Sequence, residues 1–280
     1  MSEKIRADVA LVNRGFCASR EKAQAAIMAG LVYTGEKKVL KASETIAPDA
    51  PLTLRNPAIP YVSRGALKLE KAIKVFGADL HGRIVMDIGA STGGFTDVCL
   101  KNGAKKVYAI DVGYGQLDWQ LRNDLRVCVM ERTNARYMTP AMFDPPPEAA
   151  VMDVSFISIQ LILPAAAAVM GDQGVFYSLI KPQFEAGREN VGKKGVVRDP
   201  EVHAQVLRKI IDFCEGMGWR AEAVDFSPIT GPEGNIEFIA EIIHQNASKR
   251  QCPLTDDEVR NIVEAAHRAH SAHAPNAERS

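Results

Sequence analysis

Ile84-Val85-Met86-Asp87-Ile88-Gly89-Ala90-Ser91-Thr92-Gly93-Gly94-Phe95 is the stretch that decides the fold. It starts on a short apolar run, meets a carboxylate, and passes into a glycine-rich turn. Glycine lets a backbone turn sharply and approach a ligand closely. The stretch therefore predicts a buried strand ending at Asp87, followed by a helix over 95–103. The same pattern recurs along the chain. Val107 to Ile110 ends at Asp111, Ala150 to Met152 at Asp153, and Val175 to Ile180 at Lys181. Helical stretches over 158–170 and 201–217 fall between or after them. Short apolar strands alternating with helices predict an α/β fold, a mostly parallel, doubly wound sheet covered on both faces. Ligands of such sheets lie beyond the carboxyl ends of the strands, where Asp87, Asp111, Asp153 and Lys181 all fall. A last strand, Ile236 to Ile243, carries Glu237 and Glu241 and reads as an edge.

The loop narrows the ligand. A dinucleotide site would read G-x-G-x-x-G, with pyrophosphate on the helix N-terminus. Here the glycines run G-x-x-x-G-G, and Asp87 stands two residues before the first. A fixed anion repels pyrophosphate and suits a cationic ligand. S-adenosylmethionine carries an ammonium and a sulfonium and no phosphate. The candidate cofactor residues are Asp87, Gly89, Ala90, Ser91, Gly93, Gly94, Phe95, Asp153 and Asp111, the last placed for ribose hydroxyls. Methyl transfer is the expected chemistry. Asp144-Pro145-Pro146-Pro147 looks like an amino-methyltransferase motif, but it precedes its strand and lacks an aromatic fourth residue; it reads as a loop.

Around this core the chain is organised in pieces. Residues 1–55 predict a small α+β unit of two helices, the second capped by Ser19, with short strands at Leu31–Tyr33, Val39–Leu40 and Pro51–Leu54. Residues 56–62 have the composition of a linker, and 63–245 form the α/β body. From 246 to 280 the chain reads as a polar tail, partly disordered, with one helix opened by the capping box Thr255-Asp256-Asp257-Glu258. His267, His270 and His273 recur every three residues, but no spaced Cys or carboxylate completes a metal site.

Of the 280 residues, 46% are hydrophobic and 24% charged, which excludes a wholly disordered or disulfide-scaffolded chain. Five scattered cysteines without a C-x-x-C pair read as reduced thiols. No apolar run reaches the 18 residues of a spanning helix, and the N-terminus lacks a signal peptide's apolar core, so a cytoplasmic protein is expected. The 34 basic and 34 acidic side chains sum to zero. They are unevenly spread: residues 1–76 hold 13 basic against 7 acidic, and the remainder 21 against 27. A basic quarter of +6 joined to an acidic body of −6 suits docking on a polyanion better than the neutral total suggests.

Longer phrases then match a known family. Ser63-Arg64-Gly65-Ala66-Leu67-Lys68-Leu69, DIGASTGGFT at 87–96, DVSFIS at 153–158, KPQFEAGRE at 181–189 and GPEGNIEF at 231–238 resemble, in this order, the hemolysin A (TlyA) family. The body is similar to the FtsJ-like RNA 2′-O-methyltransferases, with a Rossmann-like class I methyltransferase fold. The N-terminal unit resembles the small RNA-binding domain of ribosomal protein S-four, through Arg6-x-Asp8, Ser19-Arg20-x-Lys22-Ala23 and the segment Ile27 to Val32. The resemblance implies a catalytic tetrad at Lys68, Asp153, Lys181 and Glu237. It implies methylation of ribosomal RNA, alone or in ribosomal subunits, at a cytidine 2′-hydroxyl, without a membrane or an obligatory protein partner. In this reading Lys181 is the general base, Lys68 lowers its pKa, and the two acids position the lysines. Arg6, Arg14, Ser19, Arg20, Lys22, Lys37, Lys38 and Arg64 are the expected RNA contacts. The name hemolysin suggests membrane action, which would need a spanning or strongly amphipathic segment; the sequence shows neither.

Overall fold

Apolar strands need cover on both faces, and the chain supplies it with its earlier helices on one face of the sheet and its later helices on the other. The computed structural model describes residues 4–17, 19–28, 30–35, 37–54, 59–192 and 194–271. It divides into two units, Met1–Pro60 and Tyr61–Ser280.

The first unit runs β1 (Ile5–Arg6), α1 (Ala7–Asn13), α2 (Arg20–Met28), β2 (Val32–Thr34), β3 (Lys37–Lys38), β4 (Thr45–Ile46) and β5 (Leu52–Leu54). β1 pairs antiparallel with β4, and β3-β2-β5 form a second antiparallel sheet. Ala7, Leu11, Ala23, Ile27, Val32 and Ile46 bury the core between helices and strands. Ser19 Oγ accepts a hydrogen bond from Lys22 N at 3.3 Å, the expected cap. The strand expected at Val39–Leu40 stands two residues earlier, at Lys37–Lys38. The tight turn at Gly35 brings Lys37 and Lys38 opposite Thr34 and Tyr33, and Val39 N then still reaches Val32 O at 2.9 Å.

The second unit is a seven-stranded sheet. Its strands are β6 (Ile84–Ile88), β7 (Lys106–Ile110), β8 (Val127–Met130), β9 (Ala149–Met152), β10 (Val175–Ile180), β11 (Trp219–Phe226) and β12 (Phe238–His244). Their order is β11-β12-β10-β9-β6-β7-β8, with β12 antiparallel to both neighbours and the rest parallel. The helices are α3 (Ala66–Phe76), α4 (Gly94–Lys101), α5 (Trp119–Arg122), α6 (Leu163–Met170), α7 (Pro182–Glu185), α8 (Pro200–Gly216) and α9 (Asp256–Ser271). Side chains alternate across the sheet: Val85 joins the layer of α3 and α4 residues, while Met86 and Ile88 join that of α6, α8 and α9. The Asp144–Pro147 segment is the loop before β9, as expected.

Three expectations need correction. The last strand is interior, because β11, whose alternating pattern does not stand out in sequence, pairs on its outer side. Glu241, read as an edge charge, accepts a hydrogen bond from the Tyr177 hydroxyl at 3.2 Å. Finally, the tail from 246 is built into the body as far as residue 271. Its helix α9 has the expected capping box, with Thr255 N donating to Glu258 Oε2 at 2.7 Å, and it buries Val259, Val263 and Ala266 against the core. The polar composition concealed a stripe at i, i+4 and i+7 that is enough to dock it. His267 and His270 are spent on this docking: His267 Nε2 lies 2.9 Å from His203 Nδ1, and His270 Nε2 lies 2.9 Å from Ser227 O. His273 lies outside the described residues. Among the described residues no helix is long and apolar enough to cross a membrane.

Candidate active site

The four tetrad candidates come from four separate elements. Lys68 lies in the first turn of α3, Asp153 directly follows β9, Lys181 directly follows β10, and Glu237 directly precedes β12. Register explains the last of these. Ile180 pairs with Phe238 across the antiparallel β10–β12 ladder. The residue after one strand therefore stands beside the residue before the other.

The side chains meet. Lys68 Nζ donates to Glu237 Oε2 at 2.6 Å and to Asp153 Oδ2 at 3.5 Å. Lys181 Nζ lies 2.6 Å from Asp153 Oδ1, an ion contact out of line for a hydrogen bond, and donates to Ser155 Oγ at 2.8 Å. Asp153 is thus divided between the two ammonium groups. Lys68 and Glu237 are only 6% and 1% exposed, and a buried charge persists only when it is paired. Burial pushes the Lys68 ammonium down, but the carboxylates of Asp153 and Glu237 together push it up by more. Lys68 is therefore held charged. Gln183 Nε2 donates to Glu237 Oε1 at 3.3 Å. That same oxygen would be 2.7 Å from a Cβ at Gly231, so a side chain there would displace it.

The glycine loop forms the floor beside this cluster. Gly89 has φ +84, and a Cβ on it would stand 2.8 Å from the backbone oxygen of Asp153. Only glycine lets the loop after β6 lie against the end of β9. Gly93, at φ +95, leaves room for Leu117 and Leu121. Asp111 is pinned at the end of β7: Oδ2 accepts from Ser91 N at 2.8 Å and Oδ1 from Gly113 N at 2.7 Å. Ser91 itself sits in left-handed backbone, φ 47.

Two cavities open on this floor. One, of about 350 Å³, is lined by Gly89, Ser91, Asp111, Thr133, Asn134 and Asp153, among others. The other, of about 250 Å³, is lined by Ser63, Lys68, Ala90, Phe95, Lys181 and Glu237, with Gly94 at its wall. Both share Gly89, Ser91, Asp153 and Ser155. Asp87 lines neither. It lies beneath the loop, 0% exposed, with Oδ2 accepting from Thr96 Oγ1 at 2.6 Å and Oδ1 without a partner. Burial pushes its carboxyl up to about 7, the Thr96 hydrogen bond opposes this, and the Asp153 and Asp111 charges add to it. A buried, under-satisfied carboxylate below a cavity rimmed by Asp111 and Asp153 is a donor set for a cation, and it fits S-adenosylmethionine better than any phosphate ligand.

Ser155, Gln183 and Thr96 were not singled out in sequence, although all three stand inside the motif phrases read there. Thr133 and Asn134 follow β8, a strand without a strong signal of its own.

The RNA candidates of the first unit are partly engaged in its own fold. Arg6 donates twice to Asp8 at 3.0 Å, Arg20 donates to it at 3.2 Å, and Gln24 at 3.0 Å. The Arg6 hydrogen bonds first, then those of Gln24 and Arg20, hold the buried Asp8 carboxyl well below the usual range against the effect of burial. Both guanidinium groups remain about half exposed. Arg14 is used differently: it donates to the carbonyls of Ala50, Ala47 and Pro48. Lys22 and Lys37 are exposed, Lys37 lying 3.6 Å from Glu44; the Lys38 ammonium crosses Gly30. In the second unit, Arg64 is exposed.

Known proteins resemble this chain over most of its length. The "Putative rRNA methyltransferase YqxC" of Bacillus subtilis is 52% identical over 268 residues, 95% of each chain. The "16S/23S rRNA (cytidine-2'-O)-methyltransferase TlyA" of Mycobacterium tuberculosis is 42% identical over 239 residues, covering 85% of this chain and 89% of that one. The solved structure described as "Putative hemolysin from Streptococcus thermophilus" superposes with a TM-score of 0.77 at 44% identity, covering 97% of this chain and 98% of that one. An S4 domain model matches residues 5–50. The model of the FtsJ-like methyltransferases matches residues 61–242, the span that holds the glycine loop and the whole Lys-Asp-Lys-Glu cluster, and the chain is a member of that family of enzymes.

Proposed function

We propose that the protein transfers a methyl group from S-adenosylmethionine to a ribose 2′-hydroxyl of ribosomal RNA, at a cytidine, in the cytoplasm where ribosomes are assembled. The observation that carries this reading is the sharing of Asp153 between two cavities, one suited to a cation and one holding both lysines. When bound, S-adenosylmethionine supplies an electrophilic methyl on a sulfonium. Everything else is the work of this chain. Asp111 and the Gly89 turn hold the donor side, and Asp87 contributes a negative field from below. Lys68, kept charged by Glu237 and Asp153, donates to and orients the hydroxyl. Lys181, held on Asp153 and Ser155, which both cavities share, takes its proton when in the neutral amine form. Holding donor and hydroxyl together supplies much of the acceleration, and base catalysis about 10²–10⁴-fold more. Arg6, Ser19, Arg20, Lys22, Lys37 and Lys38, with Arg64, contribute phosphate contacts that position RNA without reading it. Arg14 serves mainly to close the fold of its own unit.

The test is a Lys181→Ala protein assayed for radiolabelled methyl transfer to ribosomal subunits and to naked ribosomal RNA, with S-adenosylmethionine affinity measured in parallel. The expected result is retained cofactor binding and at least a hundredfold slower transfer. Transfer at the wild-type rate would remove Lys181 as the base.

A further inference from the structure

Four large aromatic side chains are exposed at the ligand end of the second unit's sheet, among them Phe156 on the wall of the larger cavity. Tyr114 and Tyr137 are each 68% exposed and Trp119 is 75% exposed. Two of the four carry an arginine. The Arg132 guanidinium lies 4.4 Å from the Tyr114 ring centroid and the Arg136 guanidinium 5.7 Å from that of Tyr137. Among the described residues neither arginine is paired with a carboxylate, whereas their neighbours Arg122 and Arg126 are tied to Glu131 and Asp124.

The backbone holds these groups in place. Arg132 adopts φ 56, a left-handed conformation that a long side chain rarely takes. Its N–H donates to Gly113 O at 3.0 Å, and Gly115 N donates to Glu131 Oε1 at 2.8 Å. The Tyr114 loop and the Arg132 loop are thereby fastened together from both sides. Asn134 Oδ1 accepts from Arg136 N at 3.1 Å and caps the short 3-10 turn Ala135–Tyr137 that carries the second pair. Position matters as much as composition. Thr133, Asn134 and Ala135 line the larger cavity, while Arg132 before them, Arg136 after them, Tyr114 and Tyr137 do not. One five-residue segment therefore builds the cavity wall with its middle and offers a free cation at each end.

We infer that the two arginine–tyrosine stacks form a docking face for an unpaired RNA strand beside the cavity mouth, the arginines taking phosphates and the tyrosines stacking on bases. The charge is complementary to a polyanion, and exposed rings suit splayed bases, which a duplex keeps stacked inside. This inference rests on the RNA-methyltransferase reading above and deepens it by naming the form of RNA that the catalytic unit grips.

The experiment uses the full chain, a fluorescent 12-nucleotide unpaired RNA, and the same sequence in a duplex, with anisotropy read at several salt concentrations. Arg132→Ala/Arg136→Ala should weaken binding of the unpaired RNA about tenfold and lower the salt slope by about 1.4, two single-strand phosphate contacts. Tyr114→Leu/Tyr137→Leu should weaken it about as much and leave the slope unchanged. S-adenosylmethionine affinity should be unchanged in both. Wild-type affinity for unpaired RNA in both variants, equal losses on the duplex, or a loss of cofactor affinity in place of RNA affinity would each overturn the inference. A wild-type protein that neither binds nor methylates RNA would overturn the underlying reading instead, so the two failures are distinguishable.

Discussion

Lys68 and Glu237 are 169 positions apart in sequence, yet their charged atoms lie 2.6 Å from each other and both side chains are buried. Removing one partner of such a pair strands the other, which costs about 3–5 kcal/mol, whereas removing both costs much less. Glu237→Gln and Lys68→Met should each destabilise the protein by amounts of that order in urea melts. The double variant should be clearly more stable than the sum of the single losses implies. Additive losses would show that the pair contributes no mutual compensation.

Asp87 ties stability to pH in the opposite sense from most carboxylates. Its folded pKa, about 7, lies above the unfolded value of 3.8. The folded protein therefore holds a proton that the unfolded chain releases, and ligand-free stability falls as pH rises from about 4 to about 7. Asp87→Asn should remove this slope and make the ligand-free protein more stable at pH 8, by a few kcal/mol. It should also reduce the rise in melting temperature that S-adenosylmethionine gives. Thermal melts at pH 5 and 8, with and without S-adenosylmethionine, check both; an Asn variant that gains as much from the ligand as wild type would exclude Asp87 from cation binding.

At Gly89 the space is set by a neighbouring backbone. A methyl group would stand 2.8 Å from the Asp153 oxygen, on a residue at φ +84. Gly89→Ala should lower S-adenosylmethionine affinity by at least tenfold in calorimetry and reduce stability by about 1–3 kcal/mol. A variant with unchanged affinity would show that the loop can shift without disturbing the cavity.

The His203–His267 contact makes the docking of α9 pH-dependent. Burial first, and then the His267 charge, push the His203 imidazole down to about 4 from 6.5, and burial lowers His267 as well. Folded pKa values below the unfolded ones mean that stability is complete above about pH 6.5 and declines as pH falls toward 4. Wild type should lose on the order of 1–2 kcal/mol between pH 7 and 5 from this source. His203→Leu, which also removes the unpartnered Nε2, should show a shallower decline in denaturant melts over that range. Parallel declines would assign the pH sensitivity elsewhere.

What could be read in advance follows the range of the forces involved. Parallel strands covered on both faces leave continuous apolar runs, so the four strands that end at Asp87, Asp111, Asp153 and Lys181 were legible, and with them three of the acids and one lysine of the site. β11 and β8 were not, because an amphipathic outer strand and a half-buried one have patterns shared by many segments. The position of Lys68 in the site was not readable from its helix, where Lys71 and Lys74 look the same; only the family phrases singled it out. The tail was misjudged for a related reason: α9 docks through three small or β-branched residues, and its polar majority dominates any compositional reading. Contacts such as Gln183 with Glu237, or Ser155 with Lys181, depend on the register of strands that meet only in three dimensions.

The reversed direction of β12 has a consequence for how the enzyme comes into being. Glu237 enters the site only when the last hairpin of the sheet has been inserted beside β10. Until then Lys68 lacks its shortest-range partner. A nascent or truncated chain ending before this hairpin would carry the glycine loop, Asp153 and both lysines, yet leave one ammonium uncompensated in an unfinished interior. The reactive quartet is therefore complete only in a chain that carries this hairpin, and a product that stops short of it lacks one of the two carboxylates that hold Lys68 charged.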